Sequence, residues 1–454
     1  MRAGTIETEI SVVEEPQLDI LFYKSKPIPK IDKDQKKEVL NVLSLFSGCG
    51  GMDIGFEGDF SVLQSSVNEI LTPHFIDKKL KNSFVQLKKT RFKTVFANDI
   101  LTDARNAWVN FFLKRGNNAE DFYKESIVDL VKMYRNGVNF FPEDVDVVTG
   151  GFPCQDFSVA GKRNGFNSHK NHLGELVNSK TASVETRGQL YMWMKEVIDI
   201  TQPKIFIAEN VKGLVNLDNV KKIIQNDFSS ANGNGYIVFD PQVLHSADYG
   251  VPQSRERVIF IGIKKSALNK KALVEFKKNK LPEKYNPYPN PTHSYTVEGD
   301  NLKHFVQLKE IFKHLDEPEI TKDLSQKFYS KAKFMGKHCQ GQTEIKLSGI
   351  SPTIRSEHHG NIEFRRLSKK NGGQIEHELK NGLQERRLTP RECALIQTFP
   401  PDYDFVIENK SGRKGSFLVS PSQAYKIIGN AVPPLLAYNL AKRIEEIWDL
   451  YFKK

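Results

Sequence analysis

From residue 39 onward the chain alternates short β-branched and apolar runs with segments whose apolar residues recur at helical spacing. This alternation restricts the fold more than any other feature, because strands joined through helices pair in parallel and bury both faces. Strand candidates are 41–46, 94–97, 145–149, 205–208, 236–244 and 258–263, and 190–200 reads as a helix feeding the 205–208 strand. The predicted class is α/β, a doubly wound and mostly parallel sheet. At 454 residues the chain is long enough for a large core and a second, smaller domain. Residues 1–38, rich in Glu, Lys and Pro, show no clear period and read as an N-terminal extension.

Ligands in open α/β sheets bind beyond the carboxyl ends of the strands. The 145–149 strand runs into Gly150-Gly151-Phe152-Pro153-Cys154-Gln155-Asp156-Phe157-Ser158, which places Cys154 on a rigid loop at such an end. The 205–208 strand ends in Glu209-Asn210-Val211. A thiol and a carboxylate at neighbouring strand ends can serve as covalent nucleophile and acid–base partner. The first strand ends in Phe46-Ser47-Gly48-Cys49-Gly50-Gly51, whose glycines permit a tight turn and close approach of a ligand. This is not the dinucleotide-binding glycine pattern, and a nicotinamide oxidoreductase would leave the other motifs unexplained.

Charge is uneven. Lys and Arg number 66 against 55 Asp and Glu, and residues 264–386 alone hold 24 basic and 15 acidic side chains. Such an excess suits a phosphate backbone. The four cysteines, at 49, 154, 339 and 393, lack C-x-x-C spacing, which argues against a zinc site or a disulfide framework and fits a reducing cytoplasm. No run of about 18 apolar residues occurs, and the first residues lack an apolar signal core, so neither membrane span nor secretion is expected.

Six segments follow one another along the chain: Leu45-Phe46-Ser47-Gly48-Cys49-Gly50-Gly51-Met52, Phe152-Pro153-Cys154-Gln155, Glu209-Asn210-Val211, Gln253-Ser254-Arg255-Glu256-Arg257, Arg387-Leu388-Thr389-Pro390-Arg391-Glu392-Cys393 and Gly429-Asn430-Ala431-Val432. In kind and order they resemble the motifs of the cytosine-C5 DNA methyltransferases of bacterial restriction–modification systems. The resemblance implies a sheet of the S-adenosylmethionine-dependent methyltransferase type. Residues 39–315 would form the catalytic and cofactor-binding domain and 316–417 a target-recognition domain. Residues 418–454 would return to the catalytic domain. It further implies S-adenosylmethionine as cofactor, held by Phe46, Ser47, Gly48, Gly50, Gly51, Asp99, Ile100, Leu190 and Asn430. Asp99 would take the ribose hydroxyls and Ile100 one adenine face. The acid that the family often places on the third strand is missing at Ser126-Ile127, and Asp129 is the nearest substitute.

In the implied chemistry Cys154 attacks C6 of a flipped-out cytosine, Glu209 protonates N3, and Arg257 holds O2. Arg255 would meet a phosphate or the catalytic loop, and Asn210 would hold the loop around Cys154. Gln155, Ser158, Arg163, Gln253, Thr353, Arg355 and Asn361 are the candidate DNA contacts, with Arg365 and Arg366 as further side chains suited to bases or phosphates. Residues 60–92 read as an insertion, either a solvated excursion or a DNA contact, and 167–184 as a polar one. The expected partners are double-stranded DNA and, functionally, a cognate restriction endonuclease; a monomer is expected. Two alternatives share the fold: a transfer-RNA cytosine methyltransferase, and a non-catalytic DNA-binding regulator. The long basic recognition segment and Phe-Pro-Cys-Gln weigh against the first, the intact Cys154 and Glu209 against the second.

Overall fold

The computed structural model describes residues 39–153, 190–216, 219–296, 301–336, 342–356, 362–413 and 415–453. Cys154, Gln155, Ser158, Arg163, Asn361 and the 167–184 insertion lie outside the described residues. β1 (Leu40–Leu45) is followed by β2 (Ser61–Leu63), β3 (Ile76–Lys79) and β4 (Phe84–Leu87), which make a sheet of their own. The large sheet continues with β5 (Phe92–Asn98), β6 (Phe122–Tyr123), β7 (Val147–Gly151), β8 (Ile205–Val211), β9 (Tyr236–Val238), β10 (Gln242–His245) and β11 (Glu256–Lys264). Its order is β10-β11-β8-β7-β1-β5-β6, with β9 also paired to β11. β1 and β5 to β8 are parallel, while β11 runs antiparallel to β8. The strand order reverses between β1 and β7, which puts the ligand-binding crevice beyond their carboxyl ends.

Both faces of the sheet are covered, and this explains the near-continuous apolar strands. Leu40 and Val42 face one layer while Leu43 and Leu45 face the other; Ile205 and Ile207 alternate in the same way with Phe206 and Ala208. Helices α1 (Gly51–Glu57) and α2 (Thr102–Phe112) belong to the first layer. Helices α3 (Ile127–Arg135), α4 (Leu190–Thr201) and α5 (Val220–Ser229) belong to the second. Near the carboxyl end, α6 (Pro390–Ile396), α7 (Pro421–Asn430) and α8 (Pro434–Phe452) rejoin the first layer. α8 lies so close to α1 that a Cβ on Gly55 would stand 2.4 Å from Ala437 Cβ. The segment from 418 onward thus folds as part of the large sheet's helical layer.

Four expectations differ from the structure. Residues 236–244 split into β9 and β10, because Pro241 between them has no N–H to give the ladder. Residues 60–92 are not a solvated excursion. Val62 and Val85 pair across β2 and β4, and Phe60, Phe75, Val85 and Leu87 are buried in the first-layer core. Tyr438 Oη donates to Lys88 O at 3.1 Å, and Asn68 Nδ2 donates to Thr292 O and Asn301 O. The third difference concerns the expected domain at 316–417. Its separate core is small, with Ile362, Phe364 and Leu367 against Ala332 and Phe334, while Leu388 to Val406 contribute to the first-layer core.

The fourth concerns the lysine-rich run after β11. β11 is antiparallel to its neighbour, with Ile263 opposite Ile205 at the start of β8. Its carboxyl end therefore emerges at the amino ends of the parallel strands, away from the crevice. Lysines 264–280 are on the wrong side to touch DNA seated there.

The burial of the 60–92 layer generates a stability test. Phe75→Ala is expected to lower the unfolding free energy by about 3–5 kcal/mol, as for other buried phenylalanines. Urea or thermal unfolding measures it; a change within about 0.5 kcal/mol would instead mark a solvated surface segment.

Candidate active site

Strand register brings the predicted loops to one level. Leu45 pairs with Asn98 on one side and Gly150 on the other, and Gly151 pairs with Glu209. The loop after β1, Asp99 after β5, the Phe152-Pro153 exit from β7 and Glu209 therefore surround one crevice.

The first loop is strained and heavily tied. Phe46, half-buried, has φ 51, a left-handed conformation that a bulky side chain rarely adopts. Ser47 N–H donates to Asn98 O at 2.8 Å, and Tyr403 Oη donates to Cys49 O at 2.7 Å. Ser47 Oγ donates to Asp53 Oδ2. Asp53 also accepts from Ser44 Oγ at 2.5 Å and Trp108 Nε1 at 2.8 Å. Burial pushes the Asp53 carboxyl up to about 6 despite these donors. Sequence reading passed over Asp53; its only signal was an acid inside an otherwise apolar helical stretch.

The three glycines do different work. A Cβ on Gly50 would stand 2.6 Å from the Phe112 ring, and one on Gly51 would stand 2.3 Å from Val432 O. Both are packing positions that let α2 and the returning chain approach. Only Gly48, at φ +57, has open space where a side chain would be. Its N–H donates to Asp99 Oδ2 at 3.0 Å, while Asp99 Oδ1 accepts from Leu101 N–H at 2.9 Å. A carboxylate oxygen accepts more than one hydrogen bond, so Asp99 keeps acceptor capacity. Ile100 beside it is 37% exposed. Asn430 is exposed at the end of α7. Leu190, expected to line the crevice, is buried in the second-layer core. Ser126 caps α3 by accepting from Val128 N–H.

On the other side, Asn210 Nδ2 donates to Phe152 O at 3.1 Å and Asn210 Oδ1 accepts from Val211 N–H. These bonds fix the backbone two residues before Cys154. Glu209 is 7% exposed, and its Oε1 lies 2.6 Å from Arg257 Nε. Burial raises the Glu209 pKa more than Arg257 and Arg255 lower it. A Cβ on Gly151 would approach Glu209 Oε2 to 2.9 Å, so only glycine leaves the carboxyl in place.

Gln253 and Arg255 are both 0% exposed, which removes them from DNA. Arg255 Nη1 donates to Ile354 O at 3.1 Å and Nη2 to Gly429 O at 3.0 Å. Gln253 Oε1 accepts from Ile354 N–H, and Thr353 Oγ1 donates to Ser254 O at 2.5 Å. Ser254 N–H donates to Ser351 O, and Ser351 N–H to Pro252 O. The 351–355 segment is thus spliced onto the start of β11, with Thr353 committed to backbone and Arg355 half-buried at its end. Arg365 and Arg366 are also withdrawn from bases: both are buried against Glu378, and Arg366 also meets Glu317.

The raised Glu209 pKa sets a linkage test. A carboxyl with a folded pKa above its unfolded value stabilises the fold below that unfolded value, and the contribution is lost as pH rises through the folded pKa. Glu209→Gln, which does not titrate, is expected to be more stable than wild type at pH 8. The gap should close as pH falls towards 4.5, the ordinary value. Urea unfolding at a series of pH values reads this; a gap that widens on acidification would refute the assignment.

A family model described as C-5 cytosine-specific DNA methylase matches residues 40–446. The Type II methyltransferase M.BsuRI of Bacillus subtilis is 31% identical over 423 residues, covering 90% of this chain and 80% of that protein. The Type II methyltransferase M.BspRI of Lysinibacillus sphaericus is 31% identical over 430 residues, covering 92% and 84%. Among solved structures, the Entamoeba histolytica methyltransferase EhMeth superposes with a TM-score of 0.50 at 15% identity, covering 91% of this chain and 99% of that one, a likeness of fold. With the motif loops gathered at the switch point of the sheet and the family match running nearly from β1 to the end of α8, the chain belongs to the C-5 cytosine-specific DNA methylases and is a DNA cytosine-5-methyltransferase of restriction–modification type.

Proposed function

We propose that the protein methylates C5 of a cytosine within a short specific sequence of double-stranded DNA and thereby protects host DNA from a cognate restriction endonuclease. The observation that carries this reading is Glu209, a buried carboxyl with a raised pKa, held by Arg257 directly beside the backbone that leads into Cys154. The crevice fits S-adenosylmethionine. Gly48 leaves open space at a left-handed turn, Asp99 retains acceptor capacity for ribose hydroxyls, and Ile100 exposes an aliphatic face for the adenine. When bound, that cofactor supplies an electrophilic methyl group.

The remaining chemistry belongs to the chain. The Cys154 sulfur adds to C6 of the cytosine, the C5–C6 π electrons move into the ring, and Glu209 gives its proton to N3. C5 becomes nucleophilic as a result. After methylation a base, for which water suffices, takes the C5 proton, sulfur leaves C6 with the bonding pair as thiolate, and N3 returns its proton to Glu209, which restores the aromatic ring. Arg257, beside Glu209, hydrogen-bonds the base's O2. Cys49 and Cys393 are poor substitutes as nucleophiles, since both are buried and burial pushes their thiols up. The base must leave the helical stack to be reached at all. Arg355, next to the spliced 351–354 segment, is the described side chain best suited to a guanine edge.

Sequencing methylated plasmid DNA from a host expressing the chain tests substrate, position and target together. Cys154→Ser is expected to abolish transfer while cofactor binding persists, and 5-fluorocytosine in the target should trap the wild-type enzyme covalently. Turnover near wild type in the serine variant would sink the covalent route. Glu209→Gln should slow single-turnover transfer by roughly 100- to 10,000-fold, the usual worth of general acid catalysis; a loss below about threefold would make Glu209 structural. Arg355→Ala is expected to lower the target-to-scrambled binding ratio by about 1–3 kcal/mol, which titration of both duplexes measures.

A further inference from the structure

The lysine run displaced from the crevice is an organised surface. Residues 264–284 contain eight lysines and two acidic residues. They begin where β11 ends, with Lys264 N–H bonded to Lys204 O at the amino end of β8. From there to Glu209 the strand rises roughly 17 Å. The helix Lys270–Glu275 is fastened down. Asn269 Oδ1 caps it by accepting from Ala272 N–H, and Asn269 Nδ2 donates to Leu450 O and Lys453 O. Phe276 packs 5.2 Å from the Tyr451 ring, and Ala272 is fully buried.

Several other cations near this end are neutralised, Lys204 by Asp146 and Lys221 by Asp240, each at 2.7 Å, and Arg443 by Glu446, while Lys264 and Lys265 bond to neutral oxygens of Gln202 and Asn234. Lys270, Lys271, Lys277 and Lys280 are exposed, and their ammonium groups have no ion-pair or hydrogen-bond partner among the described residues. A rigid platform therefore holds four unneutralised point charges on the face opposite the active crevice.

We propose that this platform binds the phosphate backbone of a second DNA duplex while the crevice holds the target duplex. Lysine ammonium groups suit phosphate as point charges. A protein partner would favour aromatic or arginine anchors, and lysine is depleted at such interfaces. Val274 is the one large apolar side chain exposed between the lysines. Holding a second segment without reading its sequence would keep the enzyme on DNA after methylation and let it pass between segments. The inference rests on duplex DNA being the substrate.

The test uses the full chain immobilised through an N-terminal tag and saturated with a short target-bearing duplex. A differently labelled duplex without the target is then added. Wild type is expected to retain both. The variant Lys270→Gln/Lys271→Gln/Lys277→Gln/Lys280→Gln should lose the second duplex at least tenfold while keeping the first and its methylation rate. The set of Lys→Arg changes should retain both duplexes. Salt dependence of second-duplex binding should weaken by a slope of up to about 3–4 in the glutamine variant. Retention of no second duplex by saturated wild type would overturn the proposal, and so would loss of both duplexes together. Capture of poly-glutamate in place of DNA would overturn it in favour of an acidic protein partner. Methylation of the first duplex is read in the same sample, so a failure of the assigned chemistry is seen separately.

Discussion

The fully buried guanidinium of Arg255 ties three stretches of chain that are far apart in sequence. It leaves the start of β11, gives one nitrogen to Ile354 O and another to Gly429 O, and stands close enough to Glu209 to lower its pKa. A buried arginine without such partners would be too costly to keep. β11, the 351–355 segment and the returning carboxyl-terminal segment must therefore assemble together. Gly429 serves the same junction, since a Cβ there would stand 2.3 Å from Arg355 C. Arg355 is consequently positioned by the same contacts that hold the active end of β11.

Two buried carboxyls divide the active end between them. Asp53 lies under the first loop and collects three side-chain donors, so its task is to hold Ser47 and the strained Phe46 turn. Glu209 is ion-paired with Arg257, has the charge of Arg255 nearby, and has the missing side chain of Gly151 beside it. Burial raises both pKa values, but only Glu209 stands beside the route to Cys154. Similar local physics produces a scaffold in one case and, in the proposed chemistry, a proton donor in the other, and the difference lies in what surrounds each group.

Much of the fold was legible in sequence because the strands are buried on both faces. Apolar residues then run continuously, as in 205–208, and their ends can be placed within two or three residues. Side-chain destinations were less legible. Gln253, Arg255, Arg365 and Arg366 look like DNA-contacting residues by type, yet each is turned inward by partners distant in sequence. The 60–92 segment reads as an insertion because its strands are short, while Phe60, Phe75 and Val85 bury against Tyr438 and other first-layer residues that no local pattern announces.

By itself the sequence determined the motif order, the parallel α/β class, and the placing of a thiol loop and a carboxylate at adjacent strand ends. These follow from local periodicity and from residue chemistry, which need no distant contact. Tertiary structure alone decided which glycine faces open space and which arginine of the Gln253-to-Arg257 motif pairs with Glu209. It also decided on which end of the sheet the lysines emerge. Each of these depends on strand direction and on contacts between segments separated in sequence, and β11 running antiparallel to β8 is the physical reason that the richest run of positive charge lies opposite the active crevice.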